Sequence, residues 1–418
     1  MRFNCRSWST SEAISRRRDA PRGRTTKVFA IGGTGRIGRA SSKILAENEI
    51  VSQVAIAGRD LRLAKQAAVE IGPKAIAIEV DATDEVRLAS LARGYDLVVN
   101  TAGPDFRVAL PVTRAAISAG VHCCDIAADG PSLERVLALD GKAQKAGVTI
   151  VTGIGHIPGT SNLMMQHAAN QLDTVTDLQL CVWWQLTREE TDLFGDADAM
   201  RKTGRINASW QTVLTWVAGR VRTYRNGRLV EVDPFEEATE VALPLNGWMV
   251  SAIPIGSTEP ITFPRRIPAL RSVSVLMALL PPQLNELLRV QSQRIASGKS
   301  DVATATMAFL DAIAAEPDRW LQSRTKVPTD FGMMATATGT RGNQTLRYSC
   351  WPAGPWESTV GPLTTAALRI LHGNVRTRGV SAPEAVFEPI PFLEEAAQVG
   401  LKSNDPGRLL RDTEEVLG

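Results

Sequence analysis

The strongest constraint on this chain is an alternation between residues 27 and 155. Short β-branched runs alternate there with helical segments: KVFAIG, RIGRASSKILAEN, SQVAIAG, LRLAKQAAVEI, KAIAIEV, DEVRLASLARG, YDLVVNTAG, VALPVTRAAISAG, VHCCDIA and VTIVTG. Six strand-like runs separated by helices are repeated βαβ units, because parallel strands need a long crossover between them. The runs lack polar alternation, as strands buried on both faces should. Residues 27–155 therefore predict an α/β domain, a Rossmann-type parallel sheet flanked by helices.

Beyond Gly155 the rhythm changes. VTDLQLCVWWQL, and the pair RVRTYR and RLVEVD joined at Asn226-Gly227, predict antiparallel strands with a hairpin turn. Residues 301–321 read as helix, and MMATATGT and QTLRYSC as two further strands. Residues 156–357 are thus expected to form an α+β domain with a largely antiparallel sheet. Eight of the nine tryptophans lie in this second half, where buried indole supplies apolar area to a core or a dimer interface. TTAALRILHG and FLEEAAQVGL are helical, and residues 358–401 are expected to return to the first domain. Residues 402–418 are left as a C-terminal tail.

Charge narrows the partners. The formal net charge is +3, but residues 1–26 hold seven arginines against two acids, leaving 40 basic and 42 acidic residues in 27–418. A nearly neutral body gives no reason to expect nucleic acid or a membrane surface. No apolar run approaches the roughly 18 residues that a membrane span needs. The arginine-rich segment 1–26 lacks the apolar stretch of a secretory signal; it reads as a disordered extension, with a transit peptide as the alternative. Five cysteines form no CxxC pair and no zinc spacing, which points to a reducing, cytoplasmic compartment.

The first strand runs directly into Gly32-Gly33-Thr34-Gly35-Arg36-Ile37-Gly38, and a helix follows. Gly33, Gly35 and Gly38 match GxGxxG: the first for the tight turn, the second for backbone approach to a pyrophosphate, the third for close helix–strand packing. The helix N-terminus adds free N–H donors and partial positive charge. The second strand ends Ala57-Gly58-Arg59-Asp60. An acid at the tip would favour the ribose hydroxyl of NAD, whereas Arg59 favours the 2′-phosphate of NADP. Asp81 and Ala82 after the third strand are expected to flank the adenine, and Thr101, Ala102 and Gly103 after the fourth to pass the nicotinamide ribose.

With these residues placed, the chain resembles the saccharopine dehydrogenase family, in particular its NADP-dependent saccharopine reductase-like branch. The likeness rests on GGTGRIG with AGRD, on NTAGPDF with AGVHCCDIA, on AGVTIVTGIGHIPGTSN, and on HGNVRTRGVSAPEAVFEPIPFLEEAAQVGL. The resemblance implies a variant Rossmann domain completed by C-terminal helices. It also implies a second domain that binds a small-molecule substrate, with Asn162 at its opening, and a homodimer. It further implies NADP-dependent reduction of an imine formed from a small amino compound and a carbonyl partner. Where many members carry Pro-Tyr after the fourth strand, this chain has Pro104-Asp105-Phe106.

Reduction of C=N needs a proton source and groups that hold the substrate. Asp125, at the end of the fifth strand, is the first candidate for an ammonium contact or proton relay; a helix cap is its structural alternative. His156, just past the sixth strand, is the second catalytic candidate. Asp105 and Arg265 are expected substrate contacts, Arg265 from a proline-bounded loop, Glu259 to Arg266, that could hold a carboxylate. No metal site is expected. Two competing functions are reduction of a C=C or ketone in a larger apolar substrate, and NADP sensing or scaffolding without turnover.

Overall fold

The computed structural model describes residues 25–186, 208–244, 247–321, 331–353, 359–399 and 409–417. The basic segment 1–24 lies outside the described residues, and Thr26 already opens the first strand.

The first half is a run of crossovers. In order it forms β1 (Thr26–Ile31), α1 (Arg36–Glu47), β2 (Val51–Gly58), α2 (Leu61–Ile71), β3 (Ala75–Glu79), α3 (Glu85–Ala92) and β4 (Leu97–Asn100). It continues with α4 (Asp105–Ala119), β5 (His122–Asp125), α5 (Gly130–Leu137), α6 (Asp140–Lys145), β6 (Thr149–Val151) and α7 (Thr160–Ala169). Asp60, Asp84 and Asp129 each accept a backbone N–H at the start of α2, α3 and α5, as short acidic N-caps do. The strands are parallel and, except for the edge strand β3, largely buried on both faces, which is why their apolar runs do not alternate.

The second half holds β7 (Thr174–Gln185), α8 (Ala208–Trp216), β8 (Val221–Arg225), β9 (Arg228–Val232), β10 (Thr239–Ala242), β11 (Met249–Pro254), α9 (Glu259–Arg266) and β12 (Ser272–Leu280). There follow α10 (Leu284–Ala296), α11 (Val302–Ala315), the single turn α12 (Pro317–Trp320), β13 (Phe331–Arg341) and β14 (Gln344–Pro352). The chain closes with α13 (Val360–Leu371), β15 (Gly379–Ser381), α14 (Pro389–Gln398) and β16 (Leu410–Leu417).

Two sheets result. The seven-stranded parallel sheet has the order β15-β6-β5-β4-β1-β2-β3. The second runs β10-β11-β12-β7-β13-β14-β16, with the β8–β9 hairpin attached to β12. It is antiparallel except for β12 beside β7. Asn226 and Gly227 both take positive φ, 51° and 76°, which is what a two-residue hairpin turn demands.

Three differences from the sequence expectation have physical reasons. Residues 410–417, read as part of a tail, form an edge strand on β14, where Tyr348 Oη donates to Asp412 at 2.8 Å and Arg347 donates to Glu415 at 2.9 Å. An edge strand with mostly exposed side chains carries no apolar pattern to read. The segment from Glu259 to Arg266, read as a loop, is the helix α9; Pro260 sits in its first turn, where the lost N–H costs nothing. β15, only three residues long, pairs with β6 and covers what would be an exposed sheet edge.

Residues 360–398 pack on the first sheet's helices: α13 lies on α1, and α14 lies on α7 and α13. One continuous apolar core then joins the two sheets, from Val28 and Ile56 through Met164 to Leu180 and Phe309. Trp183, Trp210, Trp216 and Trp320 are buried in the second half. Among the described residues no helix is long and apolar enough to cross a membrane.

Candidate active site

The carboxyl ends of the parallel strands face the second sheet, and this edge is where open α/β sheets receive ligands. At its centre β1 ends at Ile31 and α1 starts at Arg36. The turn is made by Gly32, with φ at 76°, rather than by Gly33 as the motif suggests. A Cβ on Gly32 would run into the backbone of Thr101 and Ala102. Gly33 instead lies against the strands, where a Cβ would come 2.9 Å from the Ala30 carbonyl. Gly38 holds α1 against this turn, since a Cβ there would collide with the Gly32 carbonyl and the Thr101 hydroxyl. Gly35 differs from both. A Cβ on it would meet only the Gly32 carbonyl at 3.4 Å, so one face of the loop is open beside the helix N-terminus.

Arg36 is exposed in the first turn of α1, Ile37 is half-buried against the core, and Thr34 packs against Gly58 at the end of β2. Arg59 is exposed just beyond that strand. Asp81, after β3, accepts the Thr83 N–H and hydroxyl, both at 2.8 Å. Those bonds, helped by Arg59 and Arg107, hold its carboxyl below the usual range. Ala82 and Ala102 are half-buried against the apolar layer beneath, and Thr101 donates to the Ile31 carbonyl at 3.1 Å. An open backbone face, a helix N-terminus with free N–H groups, and an arginine at the tip of β2 fit a dinucleotide carrying a 2′-phosphate.

Three carboxyls gather at the ends of β4 and β5. Asp125 is fully buried, and its Oδ1 accepts from Ala127 N–H at 2.9 Å, Thr152 Oγ1 at 3.0 Å and Gly153 N–H at 3.0 Å. It ties the end of β5 to the end of β6, and the helix cap here is Asp129, not Asp125. Burial pushes the Asp125 carboxyl up. Asp105, in the first turn of α4, is half-buried, and its Oδ2 accepts the Ala128 N–H at 2.7 Å. Burial, with the charges of Asp129 and Asp125 nearby, pushes its carboxyl up to about 7. Of the three residues, Asp105 alone is half-buried rather than buried.

The second half closes over this group. Trp216 Nε1 donates to the Ala128 carbonyl at 3.0 Å, Arg222 pairs with Glu134 on α5, and a Cβ on Gly130 would come 3.0 Å from Ile261. His156 lies in a loop that folds back on itself, with Gly155 N–H donating to the Pro158 carbonyl at 2.9 Å. Gly159, at φ 125°, has no room for a side chain there. The imidazole sits 5.1 Å from the Phe331 ring, beside the stacked pair Trp184 and Trp210. Both its nitrogens are sealed from solvent with no partner among the described residues, and burial pulls its pKa down to about 4. A neutral imidazole of this kind can hydrogen-bond to a ligand, but it holds no proton to give at neutral pH.

Asn162 and Arg265 stand apart from the three carboxyls. Asn162 is fully buried, accepts the Gly159 N–H at 2.8 Å and donates to Glu384 at 2.9 Å. Ser161 beside it donates to the buried Glu259 at 2.7 Å, so α7, α9 and the 383–385 turn meet through one polar knot. Arg265 is exposed at the far end of α9 from Glu259. Sequence reading passed over Asp129, Trp216, Glu259 and Glu384. Only Asp129 carried a local signal, an acid before Gly130-Pro131 at a helix start.

Residues 28–151 match the family model of the saccharopine dehydrogenase NADP-binding domain. The cofactor domain of this chain is thus similar to that of the saccharopine dehydrogenases. Its cofactor is NADP(H). The chain superposes on the apo histidine-tagged saccharopine dehydrogenase (L-Glu forming) of Saccharomyces cerevisiae with a TM-score of 0.63. That match covers 93% of this chain and 100% of the other at 16% identity, a likeness of fold. Among curated proteins the chain is similar to the trans-acting enoyl reductases of Mycobacterium tuberculosis H37Rv and Mycobacterium bovis BCG, each 26% identical over 165 residues. The match spans 38% of this chain and 40% of those relatives' length.

Proposed function

We propose that this protein is an NADP-dependent oxidoreductase that reduces a C=N bond, formed from a small amino compound and a carbonyl partner, and that Asp105 delivers the proton to nitrogen. One observation carries the reading. Asp105 is separated from the Thr101–Gly103 segment only by Pro104, is oriented by the Ala128 N–H at 2.7 Å, and has its carboxyl raised to about 7. An acid with a pKa near the working pH is the efficient proton donor. NADPH, when bound, supplies the electron pair for the reduction. The protein's part is to hold it, through Gly33–Gly38 and Arg59, and to keep the acid in place.

The electrostatics support an amine-derived substrate. Proton transfer from Asp105 to an imine nitrogen gives a cationic iminium, and the Asp105 carboxylate left behind, at the ends of β4 and β5, would then hold that cation. Asp125 and Asp129 each keep one buried carboxylate oxygen without a partner among the described residues. Asp125 then serves as the brace between β5 and β6 and adds to the local field. A homodimer and a cytoplasmic setting belong to the same proposal, resting on the family resemblance and on the buried free thiols Cys123, Cys124, Cys181 and Cys350. Sedimentation of the purified chain tests the first.

A second reading, C=C reduction on a larger apolar substrate, is favoured by the aromatic wall of Phe331, Trp184 and Trp210 beside His156. The name of the mycobacterial relatives points the same way. A panel decides between them. Purified protein is given NADPH with aldehyde–amine pairs, with α,β-unsaturated thioesters and with ketones, and products are identified by mass. Secondary amines support the first reading, and saturated thioesters the second. Tight NADPH binding with no product from any member sinks both.

A further inference from the structure

The adenosine end of the cofactor site carries a charge problem that Arg59 alone does not solve. Arg59 stands next to Asp81, whose carboxylate lies within its electrostatic reach. One arginine beside one aspartate leaves this corner neutral, and a neutral corner gives a 2′-phosphate dianion little to bind. Arg107 lies within reach of the same carboxylate.

The packing of two helices explains how Arg107 gets there. α3 and α4 lie side by side, and Arg114 on α4 reaches Glu85 at the start of α3 at 3.9 Å. Arg107 is two turns earlier on the same face of α4, about 10 Å closer to the ligand edge of the sheet. It therefore projects past the first turn of α3 and over the loop that holds Asp81. Arg107 is exposed, and among the described residues neither it nor Arg59 is in an ion pair with an acid within 4.0 Å. Two unengaged guanidiniums thus flank one carboxylate beside the tip of β2.

We infer that Arg107 is a second cation for the adenosine 2′-phosphate, and that it and Arg59 together make this site select NADP over NAD. Asp81, bonded to Thr83, feels the charge of both guanidiniums. Two arginines against one aspartate leave the surplus positive charge that the dianion needs.

The test is a binding titration of the full chain with NADPH and with NADH, followed by nicotinamide fluorescence, and needs no turnover. Arg107→Ala should weaken NADPH roughly tenfold and leave NADH within about twofold, as expected for a charge-assisted phosphate contact. The loss should shrink as salt is raised from low to physiological ionic strength. Arg107→Lys should restore part of the preference, and Arg59→Ala with Arg107→Ala should abolish it. Equal weakening of both cofactors would mean that Arg107 stacks on the adenine or supports the loop, and would overturn the inference. So would an unchanged NADPH/NADH ratio. Because Arg107 is exposed, circular dichroism of the variant should match the parent and certify each titration.

Discussion

Asp105 Oδ2 and the backbone N–H of Ala128 are 2.7 Å apart, and this bond joins the start of α4 to the loop after β5. It fixes the carboxyl that the proposed chemistry uses. Asp105→Asn preserves an acceptor for Ala128 but has no proton of suitable acidity. We expect kcat to fall by roughly 10²- to 10⁴-fold while NADPH affinity holds. The parent's reductive rate should decline as pH rises past about 7, where the carboxyl ionises, and the variant should lose that limb. A stopped-assay pH profile of both proteins checks it.

Ala128 is held from its other side by Trp216, whose Nε1 donates to the carbonyl at 3.0 Å. Trp216→Phe keeps most of the buried apolar area but strands a buried carbonyl, at a cost of about 1–3 kcal/mol. Thermal unfolding should show the loss. Turnover should drop as well, because the residue that orients Asp105 has lost its tether to the second sheet. An unchanged Tm would mean that water or a neighbouring donor replaces the indole.

Two glycines of the same loop should respond differently to the same substitution. Gly38→Ala drives a methyl into the Gly32 carbonyl and the Thr101 hydroxyl, so α1 must move and stability should fall by about 1–3 kcal/mol. Gly35→Ala meets only the Gly32 carbonyl at 3.4 Å, and the apo protein should melt near the parent temperature. Its methyl instead occupies the open face, and NADPH binding should weaken by at least roughly tenfold. Calorimetry and cofactor titration on the two variants separate the roles.

Glu384 is buried, accepts from Asn162 at 2.9 Å and faces Glu259. Burial, with the Glu259 charge, raises its carboxyl to about 7. A folded-state pKa above the unfolded one means that the native protein binds the extra proton. Stability from this group is present below about pH 4.5 and is lost as pH rises to about 7. The full shift corresponds to about 3 kcal/mol. Asp105 has the same sign, and buried His156, with its pKa lowered, has the opposite one. The difference between Glu384→Gln and the parent isolates the contribution. The variant should gain on the parent from pH 5 to pH 8, measured as the gap between denaturant midpoints. A constant gap would refute the assignment.

Much of the cofactor half was legible because its signals are local. A strand buried on both faces shows itself as an unbroken apolar run, and Gly32 to Gly38 carry their φ and contact requirements within one turn of chain. Arg59 is placed by the end of its own strand, and the hairpin at Asn226-Gly227 by two positive φ angles. The three-residue β15 and the edge strand β16 were not legible, since one is too short and the other too exposed to imprint a pattern.

The reacting edge was legible in outline only. Asp105, Asp125 and His156 all stand out as polar residues at strand ends, yet the residues themselves do not say which of them is available. Asp125 is consumed by Thr152 and Gly153, His156 is stripped of its proton by burial, and Asp105 is left half-buried with a raised pKa. Asn162, expected as a substrate contact, donates its amide to Glu384, 222 residues away in the chain. The sequence alone therefore determined the crossover fold, the glycine turn between β1 and α1 and the place of Arg59 beyond the end of β2, all set by neighbours a few residues apart. The tertiary structure decided which titratable groups keep a proton and which are used as braces, because desolvation and pairing depend on what distant segments bring against them.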